Sequence, residues 1–371
     1  MMNKKKLHVA VIFGGRSGEH EVSLMSARSV LSVLDPSRYE VTQIGITREG
    51  KWLTGEEVLD KFERERTDGL EQVIISPDPA EAGIYVLRGR QFVKLAEADV
   101  YFPLLHGTFG EDGTIQGLFE LADVAYVGAG VVGSAVGMDK GIYKDVMRTN
   151  HIPTVESIIV LRSEIEQDLN AVLERAEQVG PYPIFTKPAN LGSSVGVTKC
   201  RTRPDLQEGL LEAALYDRRI LIERGVANAR EIEVSVLGND DPRASLPGEV
   251  LPSREFYSYE SKYLDGTSGL IIPAPLPGET TAYIQELAVR AYKAVDAAGM
   301  ARVDFFLDKD SGEVYLNELN TIPGFTKISM YPKLWEASGM TYAELVDRLI
   351  ELAIQRKAER DRTSHTYRSQ S

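Results

Sequence analysis

Short apolar runs alternate with stretches of helical periodicity, and this alternation constrains the fold of the chain more than any other sequence feature. Residues 8–13 form a run typical of a buried strand. After a glycine turn, apolar residues recur every three or four positions from Leu24 to Leu34, as on one face of a helix. Further strands are predicted at 41–47, 99–105, 155–160, 182–187, 302–307 and 313–319, and further helices at 114–122, 284–295 and 342–353. The pattern predicts an α/β protein.

The N-terminal part is predicted to form an open, parallel-sheet α/β domain that ends near residue 128. Its second strand is predicted to turn through residues 48–50. Farther on, a helix is predicted from about Ser134, and it carries the segment Met138-Asp139-Lys140. The chain of 371 residues suffices for two or three domains at roughly 150 residues per domain.

The charge balance and the cysteine content exclude several classes of protein. Asp and Glu number 55 against 42 Lys and Arg, a formal net charge of −13, and the basic residues are scattered. We therefore expect no nucleic-acid partner and no anionic membrane surface. No run of 18 apolar residues is present, so no transmembrane helix is expected. The single cysteine, Cys200, cannot form an intramolecular disulfide, and we expect a cytoplasmic protein.

The common phosphate-binding motifs are incomplete in this chain. Gly14, Gly15 and Gly18 do not form G-x-G-x-x-G. The Walker A spacing that ends at Lys51 is followed by Trp52, where a serine or threonine is required. Neither motif therefore predicts a nucleotide site.

The loop after Lys187 has the composition of a phosphate cradle. Gly192 and Gly196 allow backbone amides to approach an anion closely. Ser193 and Ser194 add hydroxyl donors, and Lys187 adds a positive charge. The residues predict a flexible hairpin loop that binds phosphate. The alternative is a solvated turn that binds no ligand.

Acidic and amide side chains near the C-terminal end suggest a metal site. Arg302 and Asp304 stand two apart on one predicted strand, and Glu318 and Asn320 stand two apart on the next. Residues two apart share a face of a strand, so these side chains can converge. Two carboxylates and an amide oxygen suit magnesium that bridges phosphates, whereas the alternative is exposed strand-end charges. The following turn, residues 320–324, could direct backbone amides at a substrate oxyanion.

Six segments of the chain, in order from about residue 7 to residue 355, resemble the D-alanine–D-alanine ligases of the ATP-grasp superfamily. They are residues 14–23, 105–113, 138–140, 187–196, 257–263 and 318–324. The resemblance implies a three-domain ATP-grasp fold, with domains at 1–128, 129–228 and 229–371. It also implies a cytoplasmic homodimer that uses ATP and two Mg²⁺ or Mn²⁺ ions to make D-alanyl-D-alanine for peptidoglycan.

The implied reaction has two steps. ATP phosphorylates the carboxylate of the first D-alanine, and the amine of the second D-alanine then attacks the acyl phosphate and releases phosphate. Both steps require charge neutralisation on the transferring phosphate, and the second requires stabilisation of a tetrahedral oxyanion.

The resemblance assigns residues to the two amino-acid substrates. Glu19 matches the carboxylate that holds the first D-alanine's ammonium, although an acid at a helix N-terminus is also favoured by the dipole alone. Ser193 and Tyr263 match a pair that hydrogen-bonds toward Glu19 and orders a lid loop, here from about residue 255 to 269. His106 matches a histidine near the first substrate, and Ser329 matches the group on the second substrate's carboxylate.

Other residues match positions on ATP, the metal ions and the oxyanion. The phosphate positions correspond to Lys140, Lys187, Ser193, Ser194 and Lys262, and the adenosine positions to Glu223, Val226 and Glu231. The metal ligands correspond to Asp304, Glu318 and Asn320, and the oxyanion site to Arg302 and the Gly324 amide. For most of these charged residues, the alternative interpretation is a solvated side chain.

Two other functions stay open from the sequence. A D-alanine–D-lactate ligase would have the same fold and make an ester, but Tyr263 is typical of dipeptide formation. A non-catalytic ATP-binding protein would be expected to lose a metal ligand or the oxyanion arginine, and this chain keeps both.

Overall fold

The computed structural model describes residues 5–251 and 269–364, and in these ranges three β-sheets carry helices on their faces. The first sheet contains β1 (Leu7–Gly14), β2 (Tyr39–Ile46), β3 (Trp52–Thr54), β4 (Glu71–Ile75), β5 (Ile84–Arg88), β6 (Gln91–Ala96) and β7 (Val100–Pro103). Helices α1 (His20–Leu31), α2 (Val58–Glu63) and α3 (Thr114–Leu121) and a 3-10 turn, Pro79–Glu81, accompany it. The strand order is β6-β5-β4-β3-β2-β1-β7.

This sheet is mixed, with its parallel part limited to one side. Strand β1 runs parallel to β2 and β7, as the open parallel-sheet prediction requires. Strands β3 to β6 add antiparallel pairs. The turn at residues 48–50 is too short for the crossover that a parallel neighbour needs, so β3 can only fold back on β2.

The second sheet is antiparallel and follows two helices, α4 (Val131–Met138) and α5 (Lys140–Thr149). It contains β8 (Ser157–Leu161), β9 (Ile184–Pro188), β10 (Thr198–Cys200) and β11 (Arg219–Arg224), in the order β10-β9-β11-β8. Helices α6 (Arg162–Gln167), α7 (Leu169–Glu177) and α8 (Arg203–Tyr216) belong to the same part of the chain. The predicted hairpin loop joins β9 to β10.

The single helix predicted through Met138-Asp139-Lys140 is wrong, because a break separates α4 from α5. Asp139 has an extended backbone, and its carboxylate accepts hydrogen bonds from the amides of Gly141 and Ile142 at 3.1 and 3.0 Å. An aspartate in this position satisfies the first amides of a new helix. Lys140 is therefore the first residue of α5 rather than a mid-helix residue.

The third sheet contains β12 (Ala229–Gly238), β13 (Arg243–Ala244), β14 (Gly248–Leu251), β15 (Gly269–Ile271), β16 (Gly299–Asp308) and β17 (Val314–Asn320). Its order is β15-β14-β12-β16-β17, and β13 pairs with β12. Helices α9 (Gly278–Ala294), α10 (Met330–Ala337) and α11 (Tyr342–Arg360) follow in chain order.

The two ends of the chain share one hydrophobic core. Buried residues of β1 and of α11 belong to a single cluster, which includes Val9, Val11, Phe13, Leu345 and Leu349. At its border, the Arg356 guanidinium lies 4.8 Å from the ring centre of Tyr126. This packing brings the loops after β1 and β7 close to the loop after β17. Within the described ranges, no helix combines the length and apolarity needed to cross a bilayer.

Candidate active site

A cavity of about 560 Å³ opens where the three sheets meet. Each sheet supplies part of its wall. The loops beside the first sheet contribute Glu19, His106 and Glu111. The second sheet and the residues after it contribute Lys187, Glu223 and Val226. The third sheet and the turn after it contribute Glu231, Arg302, Asp304, Glu318, Asn320 and Gly324, and Lys140 with the Ser193-Ser194 loop completes the lining. The cavity therefore gathers most of the predicted site residues.

Strands β16 and β17 form the acidic wall of the cavity. Their register pairs Arg302 with Asn320 and Asp304 with Glu318. The Arg302 guanidinium donates to both oxygens of Asp304, at 2.7 and 2.6 Å, and the Asn320 amide donates to Asp304 at 3.2 Å. The predicted convergence of these four side chains is confirmed, because neighbouring antiparallel strands place paired residues on the same face.

Glu233 is a member of this wall that the sequence analysis missed. It lies on β12, opposite Asp304 in the register, and its Oε2 is 2.9 Å from Nε of Arg302. Two buried carboxylates thus hold the Arg302 guanidinium, which limits its rotation. The orientation of the planar guanidinium is set before any substrate arrives.

The acidic wall has the donor chemistry of a magnesium site. Asp304, Glu318 and Asn320 offer hard oxygen ligands on adjacent positions, and all three line the cavity. In the described ranges, no group of three His, Cys, Asp or Glu side chains could enclose a metal by itself. Magnesium commonly uses one or two carboxylates together with substrate phosphates, so the two carboxylates of this wall fit such an ion.

The opposite charge pattern occurs on the second sheet, where one carboxylate lies between two lysines. The Lys187 ammonium donates to Oε2 of Glu223 at 2.6 Å, and Lys144 of α5 forms an ion pair with Oε1. Glu223 and Lys144 are each only 2% exposed. Burial alone would raise the pKa of the Glu223 carboxyl, but the two ammonium groups outweigh it and lower that pKa to about 2.

Lys144 was missed in the sequence analysis. It stands four residues after Lys140, on the face of α5 that packs inward, and a lysine is a rare occupant of such a face. The signal available in the sequence was the place of Lys144 on the inward face of α5, because a lysine there needs a buried acid as a partner.

Lys140 connects α5 to the Gly/Ser loop. Its ammonium donates to the carbonyl of Leu191 at 2.8 Å, and its backbone amide donates to Ala189 at 2.8 Å. The same ammonium lies 4.0 Å from Oε2 of Glu318. Lys140 therefore lies between the loop and the acidic wall.

The Gly/Ser loop contains two successive residues in the left-handed conformation. Ser193 and Ser194 have φ of 55° and 58°, a region in which residues other than glycine are uncommon. The Ser193 hydroxyl is buried and has no hydrogen-bond partner among the described residues. Its predicted partner, Tyr263, lies outside the described residues, as does Lys262. The network from Tyr263 through Ser193 to Glu19 stays a prediction.

The carboxylate of Glu19 lies in a slot between two glycine backbones. A Cβ atom at Gly107, whose φ is +75°, would lie 2.5 Å from Oε2 of Glu19, and one at Gly192 would lie 3.1 Å away. Gly107 is therefore favoured by its positive φ, and a side chain at either position would push against the Glu19 carboxylate. Glu19 immediately precedes α1, is 9% exposed and lines the cavity. Its position is therefore both at the start of a helix and in the cavity.

His106 is buried beside Glu19 and Glu111. Burial lowers the pKa of the His106 imidazole, so the ring is neutral near pH 7. Burial raises the pKa of the Glu111 carboxyl to about 8, and the negative charge of Glu19 adds to the rise. Glu111 is therefore largely protonated near neutral pH. Its function was not assigned from the sequence, although it belongs to the segment 105–113.

Replacing Glu111 by glutamine is expected to stabilise the free protein at alkaline pH. Between pH 4.5 and 8 the native state keeps the Glu111 proton while the unfolded chain releases it, so the stability of the wild type falls as pH rises. Glutamine resembles the protonated acid and cannot ionise. Urea unfolding from pH 5 to 9 should show the variant gaining at least about 1 kcal/mol over the wild type by pH 9.

The control for this measurement is Glu40→Gln, because Glu40 is an exposed residue of β2. The free energy of unfolding of this variant should follow that of the wild type at every pH. A constant difference between Glu111→Gln and the wild type across the range would show that Glu111 is ionised throughout.

Ser329 is one predicted site residue that does not line the described cavity. It precedes α10, where its hydroxyl lies 2.7 Å from the Thr326 hydroxyl and accepts from the Thr326 amide at 3.1 Å. Its role toward the second substrate stays a prediction.

A cavity at the junction of three sheets, with lysines on one wall and a carboxylate pair on another, is the arrangement of the ATP-grasp class of ligases. A family model described as D-ala D-ala ligase N-terminus matches residues 8–129, and one described as D-ala D-ala ligase C-terminus matches residues 146–351. The chain belongs to the D-alanine–D-alanine ligase family.

Individual relatives support this membership over nearly the whole length. The chain is 49% identical over 359 residues to the D-alanine–D-alanine ligase of Heliobacterium modesticaldum, covering 97% of this chain and 98% of that protein. Among solved structures, the D-alanine-D-alanine ligase from Coxiella burnetii is 37% identical with a TM-score of 0.83, covering 96% of both chains. The D-Ala:D-Ser ligase VanG from Enterococcus faecalis is 34% identical with a TM-score of 0.84, covering 94% of this chain and 100% of that one.

Proposed function

We propose that this chain joins two D-alanine molecules into D-alanyl-D-alanine, with conversion of ATP to ADP and phosphate, for the synthesis of peptidoglycan precursors. Family membership over nearly the whole chain supports the reaction. The structural observation that supports it is that one cavity brings together Glu19, the lysines Lys140 and Lys187, and the carboxylates Asp304 and Glu318.

In the first step, a carboxylate oxygen of the first D-alanine attacks the γ-phosphorus of ATP, and ADP leaves. Glu19 accepts hydrogen bonds from the ammonium of this D-alanine and so directs its carboxylate. Lys140 and Lys187 neutralise phosphate charge as the phosphoryl group transfers, since phosphoryl transfer depends mainly on positioning and electrostatics. Glu223 orients Lys187 through the 2.6 Å hydrogen bond, and we assign Glu223, Val226 and Glu231 to adenosine.

In the second step, the neutral amine of the second D-alanine attacks the acyl carbon, the phosphate departs with the C–O bond electrons, and the proton that the new amide nitrogen loses ends on the released phosphate. The oxyanion of the tetrahedral intermediate receives hydrogen bonds from Arg302 and from the Gly324 amide. Ser329 holds the carboxylate of the second D-alanine, and Tyr263 with Ser193 orients the attacking amine.

We assign two divalent metal ions to the acidic wall. Magnesium or manganese, when bound, would supply positive charge that offsets the charge of the phosphates. Asp304, Glu318 and Asn320 are the residues that would hold the ions, because they supply oxygen ligands on the wall nearest Lys140. Lys262, outside the described residues, is assigned to the γ-phosphate.

The test is phosphate release by the purified chain with ATP and magnesium, with products separated by mass. Parallel reactions contain D-alanine alone, D-alanine with D-lactate, D-alanine with D-serine, L-alanine, or no amino acid. We expect D-alanyl-D-alanine in stoichiometric amount with phosphate, and little release in the last two reactions. A predominant ester product would instead identify a D-alanine–D-lactate ligase, and a mixed dipeptide would identify a D-serine acceptor. ATP binding without any product would identify a non-catalytic protein.

We further propose a homodimer that acts in the cytoplasm. Family resemblance supports the dimer, and the availability of ATP supports the compartment, with the single cysteine, Cys200, buried as a free thiol. Light scattering should give twice the chain mass, whereas a mass equal to one chain would contradict the dimer.

A further inference from the structure

Ser26 is a buried residue of α1 that does not line the cavity. It is fully buried, and its hydroxyl lies 2.9 Å from Nε2 of His106. The same hydroxyl accepts a hydrogen bond from the backbone amide of Phe325 at 3.3 Å. On the other side of the ring, Nδ1 of His106 lies 2.9 Å from the carbonyl oxygen of Ile322. His106 and Ser26 thus form hydrogen bonds with the two ends of the turn 322–325, at Ile322 and at Phe325.

The direction of each hydrogen bond follows from its partners. A carbonyl oxygen only accepts, so Nδ1 of His106 carries a proton and donates to Ile322. An amide N–H only donates, so the oxygen of Ser26 accepts from Phe325 and its own hydrogen is available to Nε2. Because burial keeps the ring neutral, Nε2 is unprotonated and can accept that hydrogen. Serine and histidine therefore form a relay in which every donor has an acceptor.

This relay joins two parts of the chain that approach the cavity from different sheets. Ser26 lies on α1 and His106 follows β7, both in the part of the chain that builds the first sheet, whereas the turn 322–325 follows β17 of the third sheet and contains Gly324, the assigned oxyanion donor. Neither Ser26 nor Phe325 lines the described cavity, so Ser26 can influence the reaction only through its partners.

We infer that Ser26 is a positioning residue, which through His106 and the Phe325 amide fixes the turn that presents the Gly324 N–H to the oxyanion. The inference rests on the proposed ligase function. Without the hydroxyl, Nε2 of His106 and the Phe325 amide are both left unpaired in the interior, and the turn loses one of its anchors. A displaced oxyanion donor weakens stabilisation of the transition state more than it weakens ATP binding.

The test is Ser26→Ala in the full chain, assayed for dipeptide formation with kcat and KM measured separately. We expect kcat to fall about 10- to 100-fold, as for a donor misplaced by about 1 Å, with the KM for ATP within about twofold of the wild type. Ser245→Ala is the matched control, because Ser245 is equally buried and its hydroxyl donates to Leu246 at 2.9 Å, away from the cavity. It should lose similar thermal stability and keep the wild-type kcat.

A second measurement uses the wild type and therefore tests the inference even if the Ser26→Ala variant folds poorly. ¹⁵N NMR of labelled histidines in the wild type should show His106 protonated at Nδ1 and unprotonated at Nε2. A ring protonated at Nε2, or a Ser26→Ala variant with kcat within twofold of Ser245→Ala, would overturn the inference. A wild type that releases no D-alanine-dependent phosphate would instead contradict the proposed function, so the two failures are distinguishable.

Discussion

Replacement of Glu318 by glutamine is expected to lower kcat by about 10³-fold, which corresponds to about 4 kcal/mol of lost charge stabilisation, and to leave the fold intact. Glu318 lies opposite Asp304 in the register of β16 and β17, and the two carboxylates form the core of the assigned metal site. Glutamine keeps the shape of the side chain but removes one negative charge. The measurement is kcat at saturating ATP and D-alanine over a range of Mg²⁺ concentrations, with circular dichroism and thermal melting to verify the fold.

Direct metal binding provides an independent readout for the same variant. Mn²⁺ binding in the presence of ADP, followed by electron paramagnetic resonance, should weaken in Glu318→Gln. The matched control is Glu313→Gln, because Glu313 is an exposed carboxylate immediately before β17 that accepts a hydrogen bond from the Tyr315 hydroxyl. This control should retain wild-type turnover and Mn²⁺ binding. A folded Glu318→Gln variant with unchanged kcat and Mn²⁺ affinity would remove Glu318 from the metal site.

Replacement of Glu223 by glutamine is expected to lower the free energy of unfolding by about 3–5 kcal/mol. The variant keeps the volume of the side chain but leaves Lys144 and Lys187 without the carboxylate that pairs with both of them. Removing one partner of a buried ion pair is costly, because the remaining charge stays in a medium of low polarity. Urea unfolding at pH 7 measures the change, and the KM for ATP should rise in parallel, since Glu223 orients Lys187.

The effect of Glu223 should also depend on pH in a defined direction. The folded-state pKa of about 2 lies below the ordinary value of 4.5, so the native state binds fewer protons than the unfolded chain in this range. The stability that Glu223 contributes is therefore complete above about pH 5 and is lost as pH falls toward 2. The difference in stability between the wild type and Glu223→Gln should shrink over that window. A difference that stays constant would show that Glu223 is not an ionised partner of the lysines.

An exposed ion pair on α5, the helix that carries Lys144, supplies the control for the unfolding measurement on Glu223→Gln. Asp145 follows Lys144 on α5 and pairs with Arg148 at 2.7 Å, with both side chains substantially exposed. Asp145→Asn should cost no more than about 0.5 kcal/mol, because exposed pairs are solvated in either state. A similar loss in the two variants would contradict the distinction between buried and exposed pairs.

The convergence of the acidic wall was predictable because it depends on local geometry. Arg302 and Asp304 alternate on one strand, Glu318 and Asn320 alternate on the next, and the short link between the strands leaves little freedom in their register. Where local signals were weaker, the predictions were wrong or incomplete. The backbone break at Asp139 was missed because helical periodicity continues across it, and only the cap geometry reveals a new helix.

From the sequence alone it was possible to predict the α/β class, the strands and helices that carry the chemistry, the Gly/Ser loop and, through six segments, the family. Which charged groups are partners became evident only from the packing of the three sheets. Glu233 forms an ion pair with Arg302 from a separate strand, and Lys144 forms one with Glu223 from a helix. Ser26 accepts a hydrogen bond from the Phe325 amide, 299 residues farther along the chain. Alternation and helical spacing follow from backbone periods of two and 3.6 residues, which act over a few neighbours. Burial and charge pairing depend on which segments meet in space, so the pKa values of Glu111 and Glu223 arise only once the three sheets have packed around the cavity.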